Sequence, residues 1–282
     1  MYTVEYVEEN YDRLITTETA RKLLLSERYK PLDELCLGFI KNVNEVVFFD
    51  LDLYLDNKSF YDENYPKIRI HHQTLNKLSK LKELGIKYIK TKIVNPVKKI
   101  DKDYLQFNGK SLRVERWVKN HYDKMNFRVE TEPDNWDGVF ELLKFWDKDK
   151  RKDTLMTFTG HDVSFFKRFY KESKEKTDIL SLYFYDNDKL IAFQVMEQVE
   201  PNFWVLHTRK TDRFNYSNLN LYVDIYTFRH IMQKYDNEFL VELGYEMGKP
   251  TEYKIKRFPD FGLFYAYNLT IIKGPSEIKK LF

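Results

Sequence analysis

Between Ile179 and Leu243 the apolar residues change period twice, and that change restricts the fold more than any other feature of the chain. Ile179–Val199 reads as a β-hairpin, its arms Leu180–Tyr185 and Leu190–Glu197 alternating and Asp186-Asn187-Asp188 turning between them. Phe203–Thr208 reads as a further strand. Leu221, Ile225, Phe228 and Met232 then recur at helical spacing across Leu219–Tyr235, and Glu238–Leu243 returns to strand. Hairpin, strand, helix and strand in this order describe an α/β unit with helices on a mixed sheet. Phe264–Ile272 reads as a last strand.

A looser version of the pattern lies upstream. Val46–Asp56 is strongly β-forming and Thr74–Leu84 puts Leu75, Leu78, Leu81 and Leu84 on one helical face. Gly85 ends that helix, and Ile86–Val94 alternates apolar and basic. Thr17–Ser26, Gly109–Lys124, Trp136–Trp146 and Val163–Lys174 read as further helices and Asn126–Glu130 as a short strand. The halves share this order with little identity. At 282 residues, and roughly 100–200 residues per domain, two units are expected, at 1–105 and 106–282.

Composition narrows the function classes. Cys36 is the only cysteine, which excludes an internal disulfide and a multi-thiolate zinc site. Its apolar neighbours predict a buried structural thiol. The net charge of +3 is too near balance for a general nucleic-acid binder. No apolar run reaches the roughly 18–20 residues of a membrane-spanning helix, and the amino terminus has no signal layout, so a cytoplasmic protein is expected. The chain has 21 Tyr and 22 Phe against 9 Gly. Such usage points to an AT-rich genome, of a low-GC bacterium or its phage. A phage enzyme brings a nucleobase acceptor into consideration.

Three constellations can carry chemistry. The start of the Leu219–Tyr235 helix, after a strand and a polar loop, offers backbone N–H groups and a positive dipole end to a phosphate or carboxylate. Arg209, Lys210 and Arg213 crowd it, and Ser217 and Asn218 are the expected caps. Lys110, Arg113, Arg116 and Lys119 (or Asn120) form one basic stripe suited to tRNA or DNA phosphates, with Val114 and Trp117 expected to face the core. Asp50, Asp52 and Asp56 follow an apolar run, and Asp-x-Asp there resembles haloacid-dehalogenase-type phosphatases, in which two aspartates act with magnesium. That pattern lacks its later acidic motif here. The histidines show no metal-ligand spacing.

The order from Leu182 to Leu243 resembles the core of the GNAT (N-acyltransferase) superfamily. More specifically, VELGYEMGKPTEYKIKRFPDFG (Val241–Gly262) is similar to the closing segment of Fem-type aminoacyltransferases and of the related lysyl-phosphatidylglycerol synthase domain. There a strand ends in glycine (here Gly244), then come an aromatic–lysine pair (Tyr253, Lys254) and a phenylalanine (Phe258). Phe107–Glu130 is similar to a passage of the same families. The resemblance implies two tandem GNAT-like units, each a mixed twisted sheet flanked by helices. It implies transfer of an acyl group from acyl-CoA or aminoacyl-tRNA to a small-molecule, lipid or nucleobase acceptor, without a metal. Glu242, before Gly244, is then the candidate base, Tyr253 the acid for the leaving group, and Lys254 or Lys256 the oxyanion or phosphate partner. The loop Thr211–Asn218 has no glycine, unlike the acetyl-CoA loop of simple GNATs, which favours an aminoacyl-tRNA donor or a half that has lost its cofactor. A non-catalytic nucleic-acid-binding module on the same fold and the phosphatase using Asp50 and Asp52 remain open alternatives.

Overall fold

The computed structural model describes residues 2–24, 29–153, 178–244 and 262–273. Contacts divide the chain into two compact units, Met1–Val97 with Tyr245–Phe282, and Lys98–Gly244. No helix among the described residues is long and apolar enough to cross a membrane.

The first unit begins with short helices α1 (Val4–Glu9), α2 (Tyr11–Leu14) and α3 (Glu18–Leu24). Strands β1 (Lys30–Pro31), β2 (Gly38–Asn42) and β3 (Glu45–Phe48) follow, then α4 (Leu51–Asp56), α5 (Lys58–Asn64), β4 (Lys67–Gln73), α6 (Leu75–Glu83) and β5 (Tyr88–Ile100). The spatial order is β1-β2-β3-β4-β11-β5, with β11 being Gly262–Ile271. β3 and β4 are parallel, while β11 runs antiparallel to both β4 and β5. The expected second unit ran to residue 282, yet its last strand packs in the first unit. Alternation identifies a strand, but its partner is set by distant residues.

Successive residues of a strand point to opposite faces, and β3 buries both. Val46 and Phe48 pack with Leu51, Tyr54, Ile68, Ile70, Leu78, Leu81 and Leu269, whereas Val47 joins Cys36, Phe39 and Phe49. Cys36 is buried as expected, and burial pushes its thiol pKa up. The expected strand Val46–Asp56 is corrected: it stops at Phe48, and Asp50 accepts the Leu53 N–H at 2.9 Å as the N-cap of α4. On α6, Leu78 and Leu81 are buried while Leu75 and Leu84 are exposed. Gly85 takes φ +67, and the Ile86 N–H reaches the Leu81 carbonyl at 2.9 Å, closing the helix with the left-handed residue that glycine adopts most readily.

The second unit contains α7 (Lys102–Leu105), α8 (Arg113–Tyr122), β6 (Arg128–Glu130), α9 (Trp136–Asp153), β7 (Ile179–Asp186), β8 (Lys189–Glu200), β9 (Phe203–Thr211), α10 (Leu219–Tyr235) and β10 (Phe239–Glu242). Its order is β10-β9-β8-β7-β6, antiparallel except for the parallel β10–β9 pair. The hairpin forms as expected. Asp186 pairs with Lys189, and Asn187 takes φ +52, which asparagine tolerates better than most residues. All four apolar positions expected on α10 are buried, together with Leu219, Tyr222, Val223 and Ile231, and the face with Tyr226, Arg229, His230 and Gln233 is left more open.

Candidate functional site

The chemistry-bearing side chains of the second unit gather where β9 outruns β10. Leu240, Val241 and Glu242 pair with Phe203, Trp204 and Val205. β10 then ends at Glu242, while β9 continues through Leu206 to Thr211. Cross-strand partners place their side chains on one face. Val205 stands opposite Glu242 on one side and Glu197 of β8 on the other, so two carboxylates flank it in one row. Both are buried, Glu242 at 2% exposure and Glu197 at 8%.

His207 joins them. Along β9 the register passes from Leu206 opposite Met196 to Thr208 opposite Val195, which leaves His207 as a bulge residue, a device that re-aims a side chain. Its Nε2 lies 2.6 Å from Glu197 Oε2, and its side chain is 2% exposed. A carboxylate can only accept, so Nε2 donates and the ring orientation is fixed by Glu197. Spacing in the sequence left this histidine unassigned. The antiparallel register of β8 and β9 supplies its partner, and that register follows from the tight Pro201-Asn202 turn.

The expected donor-binding residues occupy different environments. Arg209 donates from Nη1 to both carboxylate oxygens of Asp224 on α10, a partly buried pair tying strand to helix. Lys210 is buried, while Arg213 is exposed over the Phe214 ring at 5.6 Å. Asn218 occupies the N-cap position at φ 61 without a side-chain capping bond, its Nδ2 lying 3.2 Å from Ser217 Oγ. The Ser217 carbonyl accepts from Tyr122 at 2.7 Å. The expected caps are therefore corrected: the left-handed backbone of Asn218 turns its side chain from the helix start. The glycine-free loop is shaped by Asp212, which accepts the Asn215 side-chain N–H and Lys189 Nζ at 2.8 and 2.9 Å. Burial alone would raise that carboxyl, but these bonds outweigh it and hold the pKa below the usual carboxylate value.

The basic helix is also corrected. It starts at Arg113, and it buries Glu115, Val118 and Tyr122. Trp117 and Val114 face outward at 52% and 47% exposure, because the buried stripe runs through positions 115, 118 and 122 at helical spacing. Arg116 donates to the Phe107 carbonyl at 2.7 Å, and Lys119 pairs with Asp123 at 3.1 Å. Lys110 and Arg113 are exposed. In the first unit, Asp50 caps α4 and exposed Asp52 pairs with Lys80, so each aspartate has its own partner. Tyr253, Lys254, Lys256 and Phe258 lie outside the described residues.

The first unit repeats the parallel arrangement with different contents. Past Phe48 and Ile70, which pair, Gln73 donates from Nε2 to the Phe49 carbonyl at 2.8 Å and to the His71 carbonyl at 2.5 Å. His71 and His72 both pack on the Phe49 ring at 5.9 Å. Burial lowers their pKa values to about 3 and about 4, which keeps both rings neutral.

No protein-family model and no curated protein sequence matches the chain. Solved structures do. L-PGS from Bacillus licheniformis superposes with a TM-score of 0.62 at 13% identity, over 99% of this chain and 95% of that one. FemX aligns with a TM-score of 0.54 at 12% identity over 100% and 99%. A tandem GNAT protein from the clavulanic acid biosynthesis pathway aligns at 0.52 and 8% identity over 85% and 80%. At such identity the likeness concerns architecture, and with the hairpin–strand–helix–strand order and the parallel strand pair in each unit it identifies the chain as having the tandem GNAT fold.

Proposed function

We propose that this chain is a transferase that moves an acyl or aminoacyl group from a CoA thioester or an aminoacyl-tRNA ester to an amine or hydroxyl acceptor. The carrying observation is the buried row Glu242–Val205–Glu197, with His207 on Glu197, where β9 outruns β10. Acyl transfer needs a group that accepts the acceptor's proton in a place from which water is excluded. Glu242 has that chemistry and burial.

In the proposed reaction the acceptor's lone pair attacks the donor carbonyl carbon, and the proton the acceptor loses passes to Glu242. The C–S or C–O bond to the donor then breaks, and the leaving sulfur or ribose oxygen takes a proton, the role assigned to Tyr253. Lys254 (or Lys256) steadies the oxyanion. Arg213, Lys210 and the backbone at the α10 start, Ser217–Leu219, are assigned to the donor's phosphates. Arg209 holds Asp224 and serves the framework. The exposed cations Lys110 and Arg113 fit the phosphates of a tRNA donor. Residues 1–105 and 106–282 are proposed as two divergent copies of one unit.

The test supplies the protein with labelled acyl-CoAs and, separately, with charged tRNAs. Each donor is offered amines, phospholipids and nucleosides as acceptors. Transfer from either donor supports the reading and identifies the acceptor class; transfer from neither to any acceptor overturns it. A Glu242→Gln protein that keeps full activity removes that residue from the mechanism.

A further inference from the structure

A cavity lies on the helical side of the second unit. Its volume is about 250 Å³, and it is lined by Asp123, Asn126, Phe127, Tyr222, Tyr226, Arg229, His230 and Gln233. The proposed transfer chemistry uses none of these residues.

The walls are aromatic. Phe127 and Tyr222 meet edge to face at 6.0 Å, and Tyr222 and Tyr226 lie 6.2 Å apart. The rim is polar and of mixed character. Asp123 accepts from Arg229 Nη1 with both oxygens at 3.2 Å, and from the Tyr222 hydroxyl at 3.4 Å. Lys119 reaches the same carboxylate at 3.1 Å. The Arg229 guanidinium keeps further N–H donors beyond those contacts. Gln233 is exposed and offers a donor and an acceptor. Burial, with Lys234 nearby, lowers the His230 pKa, so its neutral ring offers one of each as well.

This rim argues against a small charged ligand. A free anion would meet Asp123, and a free cation would meet Arg229 and Lys119. A flat neutral ring edged with donors and acceptors suits both the walls and the rim. The aromatic series also continues outward. Tyr122 touches Phe127 and Tyr222 at 5.7 and 5.1 Å, His121 touches Tyr122 at 4.9 Å, and the exposed Trp117 stacks on His121 at 5.1 Å and 6°. An exposed tryptophan stacked on a ring, with the exposed Lys124 three residues beyond His121, is a platform for a further base.

We propose that the cavity between the Asp123–Phe127 turn and α10 binds a nucleobase, read at its edge by Asp123, Arg229 and Gln233 and stacked against Tyr226, with Trp117–His121 as the platform for an adjoining base. The site is independent of the transferase reading, since its residues take no part in that chemistry and its test measures binding alone.

The base can belong to a free nucleotide or to a single strand. Calorimetric titration with the common ribonucleoside monophosphates tests the first source. Anisotropy with fluorescein-labelled single-stranded RNA homopolymers tests the second. Saturable binding in either arm, weakened about tenfold or more by Arg229→Ala and by Gln233→Ala, supports the site. Gln233 is exposed, so its substitution leaves the fold intact, and melting curves check the Arg229 variant. Trp117→Ala is expected to weaken the homopolymers several-fold and leave the monophosphates unchanged. Absence of saturable binding up to about 1 mM in both arms, or binding indifferent to both rim substitutions, overturns the proposal.

Discussion

The two parallel strand pairs show one local architecture filled with two different sets of side chains. In the first unit β3 and β4 pair from Glu45–Lys67 to Phe48–Ile70, and the chain's own side chains occupy the position beyond. Gln73 bonds across to Phe49, and two histidines kept neutral by burial pack on the Phe49 ring. In the second unit β9 and β10 pair over three residues, and the position beyond carries Glu242, Glu197 and His207. One junction is closed by a neutral amide; the other presents ionisable groups. A strand pair that ends early leaves backbone and side chains facing a gap, and the residues placed there decide whether the gap is framework or chemistry.

The comparison is most directly broken by Glu242→Gln. In the transfer assay it is expected to lower kcat by about 10²–10⁴-fold, as loss of a general base does, with the melting temperature little changed. Equal activity in mutant and parent would make the second junction as inert as the first. Asp224→Ala is expected to lower stability by about 3–5 kcal/mol, because it strands the half-buried Arg209 charge. Chemical denaturation measures this, and a loss under about 1 kcal/mol would show that the pair does not tie β9 to α10.

Gln73→Leu removes both donors bridging the first junction while nearly keeping the volume. It is expected to cost about 1–3 kcal/mol from two buried carbonyls left without donors. Transfer activity below the melting transition should be unchanged, and a selective loss of activity would mean that the first junction also takes part in chemistry. The pH dependence sharpens the same contrast. His72 has a folded pKa of about 4 and His71 of about 3, both below the ordinary 6.5. Below 6.5 the unfolded chain therefore binds more protons than the folded one, so stability is full above pH 6.5 and falls as pH drops toward 4. A His72→Phe protein should lose part of that acid sensitivity in melts between pH 7 and 4.5; an unchanged profile would place the sensitivity elsewhere. The smallest effect is expected from Asp50→Ala, about 1 kcal/mol for a lost N-cap, with transfer activity retained.

Much of the fold was legible because periodicity is local. The hairpin around Asn187, the helix Leu219–Tyr235 and the glycine stop at Gly85 all formed where the pattern put them. Failures came where one residue type serves two local roles. Asp50 after an apolar run resembles the end of a catalytic strand, and it is an N-cap. Trp117 and Val114 look like core residues, yet Glu115 takes the buried position between them. The candidate base Glu242 was found through a family likeness, whereas His207 had no local signal, because its partner Glu197 sits ten residues away on the neighbouring strand.

The sequence by itself determined which segments are strands and helices in most of the chain, and where the second unit's hairpin turns, since these follow from side-chain period and backbone preference within a few residues. Only the tertiary structure decided that β11 lies between β4 and β5, that Arg209 serves Asp224, and that Glu242, Val205 and Glu197 form one row. Those facts depend on strand partner and register, and register is a long-range choice in which a shift of one residue moves every side chain to the opposite face.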